Sequence, residues 1–402
     1  MKLLAVTILL SFLLFSCSEK DESLSQDDLE VISIDLSKAY DGKLSEFFEP
    51  EIDYVWLKDD SEEAQLSAGL HKILFYKDKI MTMDIFGCKC IKIFDSKGNF
   101  LNQIRAFGDG PEKYKEFDNF IIDKNEVLFL GVYPPKLMWF NMEGDFLREM
   151  KVEMGINAGV YLESNNRYHF SMSPYRTEKY IVTSVNADFK DSTGYFPTVE
   201  GRYYGNFSGR NNYILSGYDT YFTYGFQDTI FQLSEEAYIP KLVFEYGSYG
   251  QDIEEYKMKM ENLDPMERMD FINKKSKLYF VPRATVLSDK YFSNSFRSEE
   301  TSYNVFYDRE NRKTFVLNWG IENDIDEGYN PYFFNYNFDG ANQVGSKIPG
   351  VDLYEVLQKK KEELGEEAFE SYINGKGKKF AEVATAAKDS ENPVLIIYTL
   401  KK

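Results

Sequence analysis

From Val31 onward the chain alternates short apolar runs with polar turns, and the runs fall into sets of four. One set is 72–76, 80–84, 91–95 and 100–105, and a second is 117–123, 127–132, 137–141 and 146–152. Runs this short, rich in β-branched and aromatic residues and bounded by Gly, Asn and Asp, predict strands. Within the two sets, Phe94-Asp95-Ser96-Lys97-Gly98-Asn99-Phe100-Leu101 is echoed 46 residues later by Phe140-Asn141-Met142-Glu143-Gly144-Asp145-Phe146-Leu147. Each copy reads as strand, tight turn and strand, the glycine supplying a positive φ after an Asp or Asn. A four-strand unit recurring at this period is the mark of propeller blades.

Further units are expected at 159–189, 211–246 and 278–317, with a degenerate turn copy at Asn337-Phe338-Asp339-Gly340. The last unit combines 332–337 with the apolar run 393–400, which needs a partner. Either 31–35 or 54–57 supplies it, so strands from both ends close the ring and remove the exposed edges. Two stretches switch to a helical period and are read as insertions packed on the rim. In 253–273, Asp264 caps a helix that has Pro265 in its first turn. In the second, Leu353, Val356, Leu357, Leu364, Ala368 and Tyr372 form one apolar face. The expected fold is all-β, a six-bladed β-propeller over 31–402 with two helical insertions.

The amino terminus has a different pattern. Lys2 precedes an apolar stretch ending in Leu14-Phe15-Ser16-Cys17, too short to span a bilayer as a helix and shaped as an export signal. Its cysteine makes it similar to a bacterial lipobox, which implies cleavage after residue 16 and a lipid on Cys17. Residues 17–30, beginning Cys17-Ser18-Glu19-Lys20-Asp21-Glu22, read as an acidic flexible tether resembling the surface-export tags of Bacteroidales-type lipoproteins. The expected location is the outer membrane, lipid-anchored and facing outward.

Composition narrows the partners. Aromatic content of 16% suits a sheet protein, and a net charge of −19 disfavours nucleic acid, which would be repelled. Of three cysteines, Cys88 and Cys90 remain after Cys17 is set aside, and in a strand their side chains lie too far apart for an easy disulfide. They are read as two small strand residues. His169, between Tyr168 and Phe170, is read as structural.

The Phe-Asp-x-x-Gly-x-Phe turns, Gly108-Asp109-Gly110-Pro111-Glu112-Lys113-Tyr114, Asp228-Thr229-Ile230-Phe231 and the ending Glu391-Asn392-Pro393-Val394-Leu395 together carry a resemblance. Over nearly all of the mature chain it resembles the six-bladed β-propeller lipoproteins of Bacteroidales-type bacteria, related in architecture to NHL and TolB-like propellers. That family more often has Gly-x-Gly-Pro-Gly-Glu-Tyr where this chain has Glu112 and Lys113. The resemblance implies a fold and a location, and no catalytic residue.

In such a fold, the loops between second and third strands and the connections between blades share one face, around the channel mouth. The candidate ligand contacts there are Asp109, Glu112, Tyr114, Tyr133, Lys136, Tyr175, Arg176 and Asp228, with Phe86, Gly87 and Glu178 nearby. Tyrosines offer flat amphipathic faces, and Arg or Lys pairs with anionic groups. No nucleophile elbow, zinc-binding His-Glu-x-x-His or spaced metal triad occurs. The sequence therefore points to a non-catalytic module for a glycan, peptide or partner protein, with no cofactor. The alternative is a propeller lyase or hydrolase using carboxylates and a channel-bound cation.

Overall fold

The computed structural model describes residues 29–67, 72–172, 179–199, 212–217, 219–225, 227–235, 237–275, 277–280, 285–298, 301–334, 336–337 and 342–402. The fold is all-β, with six sheets of four or five strands each. The chain enters through β1 (Glu30–Ser33), a one-turn helix α1 (Leu44–Phe47) and β2 (Phe48–Trp56). The first sheet is β3 (Lys72–Tyr76), β4 (Lys79–Asp84), β5 (Cys90–Asp95) and β6 (Phe100–Ile104) in spatial order. The second repeats it with β7 (Asn119–Asp123), β8 (Glu126–Val132), β9 (Lys136–Phe140) and β10 (Phe146–Lys151). The third holds β11 (Ile156–Leu162), β12 (Arg167–Met172), β13 (Tyr180–Asn186) and β14 (Ser192–Pro197).

In the fourth sheet, β15 (Tyr213–Ser216), β16 (Asp219–Phe222), β17 (Thr229–Leu233) and β18 (Tyr238–Glu245) are joined by β1, which pairs in parallel with β18. The N-terminal run thus adds a fifth strand here and takes no part in closing the ring. The fifth sheet divides its first strand into β19 (Tyr279–Phe280) and β20 (Val286–Leu287), followed by β21 (Tyr291–Arg297), β22 (Ser302–Asp308) and β23 (Lys313–Asn318). The sixth is β24 (Tyr336–Asn337), β25 (Gln343–Pro349), β26 (Pro393–Leu400) and β2, with Tyr54 opposite Ile396 and Trp56 opposite Val394. Strands from the two ends of the chain therefore lie side by side, and the segment around 54–57 is the partner. β25 had no counterpart in the sequence reading. Of the degenerate turn copy only Asn337 is described, and residues 338–340 lie outside the described residues.

The first strands of successive sheets touch one another around a centre. β11 contacts β7 and β15, β15 contacts β20, β20 contacts β24, and β24 contacts β3. Lys72 completes the circuit from β3, its ammonium donating to Asn119 Oδ1 at 2.9 Å and to the Phe120 carbonyl at 2.8 Å on β7. Neighbouring sheets are held face to face by apolar side chains. Met81, Ile93 and Met83 of the first sheet, for example, pack with Phe120, Phe129 and Phe140 of the second. The recurrent turn glycines have a second duty besides their positive φ of 79° and 94°. A Cβ on Gly98 would collide with the Trp56 carbonyl on the outer strand of the sixth sheet, and one on Gly144 would lie 2.9 Å from the Gln103 carbonyl of the first. Each turn is thus wedged against the preceding sheet.

The helical segments lie in connections. α2 (Ile253–Met260) and α3 (Pro265–Lys275) separate the fourth and fifth sheets. Asp264 caps α3 as expected, its Oδ1 accepting from the Met266 and Glu267 amides while Glu267 accepts from the Asp264 amide. Between β25 and β26 there are three helices, α4 (Gly350–Leu364), α5 (Glu366–Asn374) and α6 (Lys378–Ala386). Gly365, at φ 74°, breaks what the spacing suggested was one helix. Leu353, Leu357, Phe380 and Ala384 bury against Ile348, Val394 and Ile396, so these helices are part of the sixth sheet's core.

Candidate functional site

Sheet order fixes the two faces. The loops 85–89 and 133–135, the helices α2 to α6 and the connections 105–118 and 319–334 all leave the same ends of the strands. The turns 77–78, 96–99, 124–125, 141–145, 163–166 and 309–312 leave the other. The first group forms the mouth face.

Between the first and second sheets this face is built on Tyr114. Its amide donates to the Ala106 carbonyl at 3.0 Å and its carbonyl accepts from Gly108 at 2.9 Å, pinching 107–113 into a tight loop. Gly108 and Gly110 take φ of 147° and 113° inside that loop, and Glu112 takes 59°. The ring packs against Phe117 and Phe129, and the hydroxyl donates to the Lys89 carbonyl at 2.6 Å. Burial pushes this hydroxyl's pKa well up. Tyr114 is fully buried and cannot meet a ligand, which corrects its place among the expected contacts.

The other expected residues divide. Asp109 is exposed and pairs with Lys115 at 2.8 Å, an interaction that holds the Lys115 ammonium above its usual pKa. Glu112 is exposed beside it. Tyr133 is 58% exposed, with its backbone bridged to Glu116. Lys136 is buried and tied to Glu149 of β10 at 2.6 Å, so it too is a structural residue. Asp228 sits half-buried on the fourth sheet, its Oδ1 accepting from the Thr229 hydroxyl and its carbonyl from the Phe244 amide. Tyr175, Arg176 and Glu178 lie outside the described residues. The structure thus brings Asp109, Glu112 and Tyr133 to one junction and leaves Asp228 on another sheet.

Two exposed aromatics, Phe86 and Phe107, accompany them. Lys89 Nζ lies 4.9 Å from the Phe107 ring centre and the Arg105 guanidinium 5.9 Å from it. An exposed ring bordered by two cations can take an apolar group next to a carboxylate or sulfate. Cys88 and Cys90 lie in the same region and are joined by a disulfide, with Cα atoms 5.2 Å apart. The expectation of two unlinked strand residues is overturned because Cys88 precedes β5 and Lys89 takes a φ of 50°. In a regular strand the two side chains share a face but stand too far apart; the left-handed turn at Lys89 shortens the Cα separation into disulfide range.

A second aromatic group, missed in the sequence, lies between the fifth and sixth sheets. Trp319 stacks on Tyr332 at 5.8 Å and on Phe333 at 5.7 Å between ring centres. The connection doubles back on itself where the Ile321 amide donates to the Pro331 carbonyl, and buried Asn304 donates to the Tyr332 carbonyl at 2.7 Å. The local signal was slight, a Trp-Gly at one end of a sheet connection and Pro-Tyr-Phe at the other.

Among the described residues no three His, Cys, Asp or Glu side chains converge as a metal-ligand set. His169 is buried on β12, with Nδ1 3.0 Å from the Tyr238 hydroxyl and Nε2 3.4 Å from Ser184 Oγ. Burial, with Arg167 nearby, pushes its pKa down to about 4. Burial pushes Lys72 down to about 7.

A family model described as a domain of unknown function, DUF4934, matches residues 29–399. The chain belongs to the DUF4934 family. No curated protein matches it. This DUF4934 chain is similar in structure to a Bacteroides fragilis protein named as an exported one, BF0058. The TM-score is 0.71 at 16% identity, over 92% of this chain and 100% of that one. It also resembles a Bacteroides thetaiotaomicron protein of unknown function, at a TM-score of 0.40 and 9% identity over 87% of this chain and 76% of that one. The first likeness speaks for the fold alone; the second carries no argument. Among the described residues, no helix of the DUF4934 chain is long and apolar enough to cross a membrane.

Proposed function

We propose that this protein is a six-bladed β-propeller lipoprotein, anchored through Cys17 in the outer membrane and facing outward, that works as a non-catalytic binding module through its mouth face. The blade count rests on the six sheets and the circuit of their first strands. Export rests on the sequence before Cys17 and is in keeping with the name of the B. fragilis relative.

The observation that carries the binding role is the distribution of exposed apolar side chains. Among the described residues fifteen large hydrophobics are exposed. Ten of them are on mouth-face loops, connections or helices: Phe86, Phe107, Tyr133, Val199, Met258, Met266, Met269, Trp319, Tyr332 and Leu364. The other five, Val31, Leu101, Leu147, Tyr180 and Leu215, are on strands, and none is on a turn of the opposite face. Exposed apolar surface costs solubility and collects where a partner covers it. Its one-sidedness supports an interaction face presented by the ring.

The test has two arms. Surface proteolysis and membrane fractionation of cells making wild type or Cys17→Ala report anchoring and orientation; an unaltered membrane fraction in the variant sinks the anchor. Glycan-array and cross-linking profiles are then compared for wild type, the triple variant Phe86→Ser, Phe107→Ser, Tyr133→Ser, and the opposite-face pair Lys97→Glu, Glu143→Lys. Binding lost only in the triple variant supports the assignment. Equal loss from both faces rejects it.

A further inference from the structure

We infer that the stacked rings of Trp319, Tyr332 and Phe333 form a subsite for a neutral sugar ring. This rests on the binding-module reading and adds to it a ligand class and a second place on the mouth face, between the fifth and sixth sheets. Three features carry it.

The first is that exposed rings here are held rather than loose. Trp319 is 38% exposed and Tyr332 54%, yet both backbones are fixed. The Ile321 amide bonds to the Pro331 carbonyl, and Asn304, itself oriented by Ser295 Oγ at 3.0 Å, bonds to the Tyr332 carbonyl. A wet aromatic surface with its backbone fixed in advance loses little further freedom when a ligand covers it.

The second is shape. The Tyr332 and Phe333 rings each lie within 30° of the Trp319 plane, at interplanar angles of 24° and 28°. Gly320 beside them, at φ 92°, adds no side chain, and a Cβ there would meet nothing closer than the Tyr332 ring at 3.8 Å. The rings are offset and overlap only in part, and Trp319 and Tyr332 keep aromatic surface open to solvent. A pyranose presents a face of C–H bonds to such a surface and keeps its hydroxyls at the edge.

The third is the border. Asn318, next to Trp319, donates to Asp41 Oδ1 at 2.7 Å, and Asp41 is exposed. Glu322 is exposed on the other side of Gly320, with Lys43 3.4 Å away. Two carboxylates against the one ammonium of Lys43 leave this edge net negative, so it accepts from sugar hydroxyls and disfavours uronate or sulfate, and the chain's charge of −19 adds to that. The border therefore selects a neutral sugar. A polyanion such as nucleic acid, which could also stack on the rings, is refused.

The chain provides its own reporter. Trp139 is buried with its indole N–H on Asp123, Trp56 is half-buried with its N–H on Ser390, and only Trp319 of the three is exposed. The full mature protein is titrated with hexasaccharides of gluco-, manno-, xylo- and galacto-configuration, and with a hexagalacturonate and a heparin hexasaccharide, reading tryptophan emission and heat. At least one neutral hexasaccharide is expected to shift the emission and bind tenfold or more tighter than either anionic one. Trp319→Ala and Tyr332→Ser are each expected to weaken it tenfold or more with an unchanged melting temperature, and Trp319→Phe to restore most of the affinity. If Trp319→Ala lowers the melting temperature, Tyr332→Ser alone decides. No binding by any neutral sugar, preference for the anionic ones, or full affinity in the decisive variant overturns the inference. If binding of another partner still depends on Phe86, Phe107 and Tyr133, the module reading survives that failure.

Discussion

Tyr114 and Lys89 meet across the junction of the first and second sheets, the phenol donating to the main-chain carbonyl at 2.6 Å inside a shell of Phe117 and Phe129. The bond ties the connection 105–118 to the loop 85–89, so two mouth-face segments share one buried anchor. Tyr114→Phe leaves that carbonyl without its partner and is expected to cost about 1–3 kcal/mol. Tyr114→Ala also opens a cavity, and large aromatic truncations cost about 3–5 kcal/mol. Urea melts give both values. Hydrogen exchange should quicken in 85–90 as well as in 106–118, and acceleration confined to one of them breaks the proposed link.

The turn glycines make a graded pair. Gly98→Ala forces a methyl group into the Trp56 carbonyl, while Gly144→Ala has 2.9 Å to the Gln103 carbonyl, and both pay for a positive φ. Gly98→Ala is therefore expected to destabilise more, with Gly144→Ala also costing more than about 1 kcal/mol. Thermal melts of the two variants decide the order. A larger loss in Gly144→Ala contradicts the wedge geometry.

His169 gives a pH signature with a fixed sign. Its folded pKa of about 4 lies below the ordinary value of 6.5, so the unfolded chain takes up a proton that the folded chain refuses. Its contribution to stability is complete above pH 6.5, falls as pH drops to about 4 and then levels off, a change of about 3 kcal/mol. Carboxylates titrate partly in the same range, so the measurement is the difference between wild type and His169→Asn from pH 7 to pH 4. Parallel curves mean that His169 does not carry the effect.

The Cys88–Cys90 bridge encloses a three-residue loop, and closing so short a ring restrains the unfolded chain by roughly 1.5 kcal/mol. Cys88→Ser is expected to keep the fold, with a small loss in melting temperature and faster exchange limited to the loop around Phe86. Alkylation of the untreated protein should find both thiols blocked. Two free thiols without reductant remove the bridge from the account.

Much of the scaffold is legible in the sequence because local rules and tertiary need coincide there. Asp95 and Asn141 accept main-chain hydrogen bonds inside their own turns, so the Phe-Asp-x-x-Gly echo carries its structure locally. β25 was invisible for the opposite reason. It lies between β24 and β26, but among Gln343 to Pro349 only Val344 and Ile348 are large apolar residues, set amid Gly, Ser, Lys and Pro, so no strand-like run shows in the sequence. At the mouth, sequence position identifies the loop but not which way a side chain points. Tyr114 and Lys136 are in the right segments and turn inward, to Lys89 and Glu149. Trp319 and Tyr332 are brought together by a backbone bond between Ile321 and Pro331, which leaves no periodic trace.

Placing β26 between β25 and β2 also has a consequence in time. Until residues 393–400 have been synthesised, β2, made early, has nothing to pair with in the sixth sheet, and the circle of sheets has a gap. The growing polypeptide can form individual hairpins but cannot latch. Whatever machinery handles it until then meets an open array, and cooperative locking waits until residues 393–400 have left the ribosome.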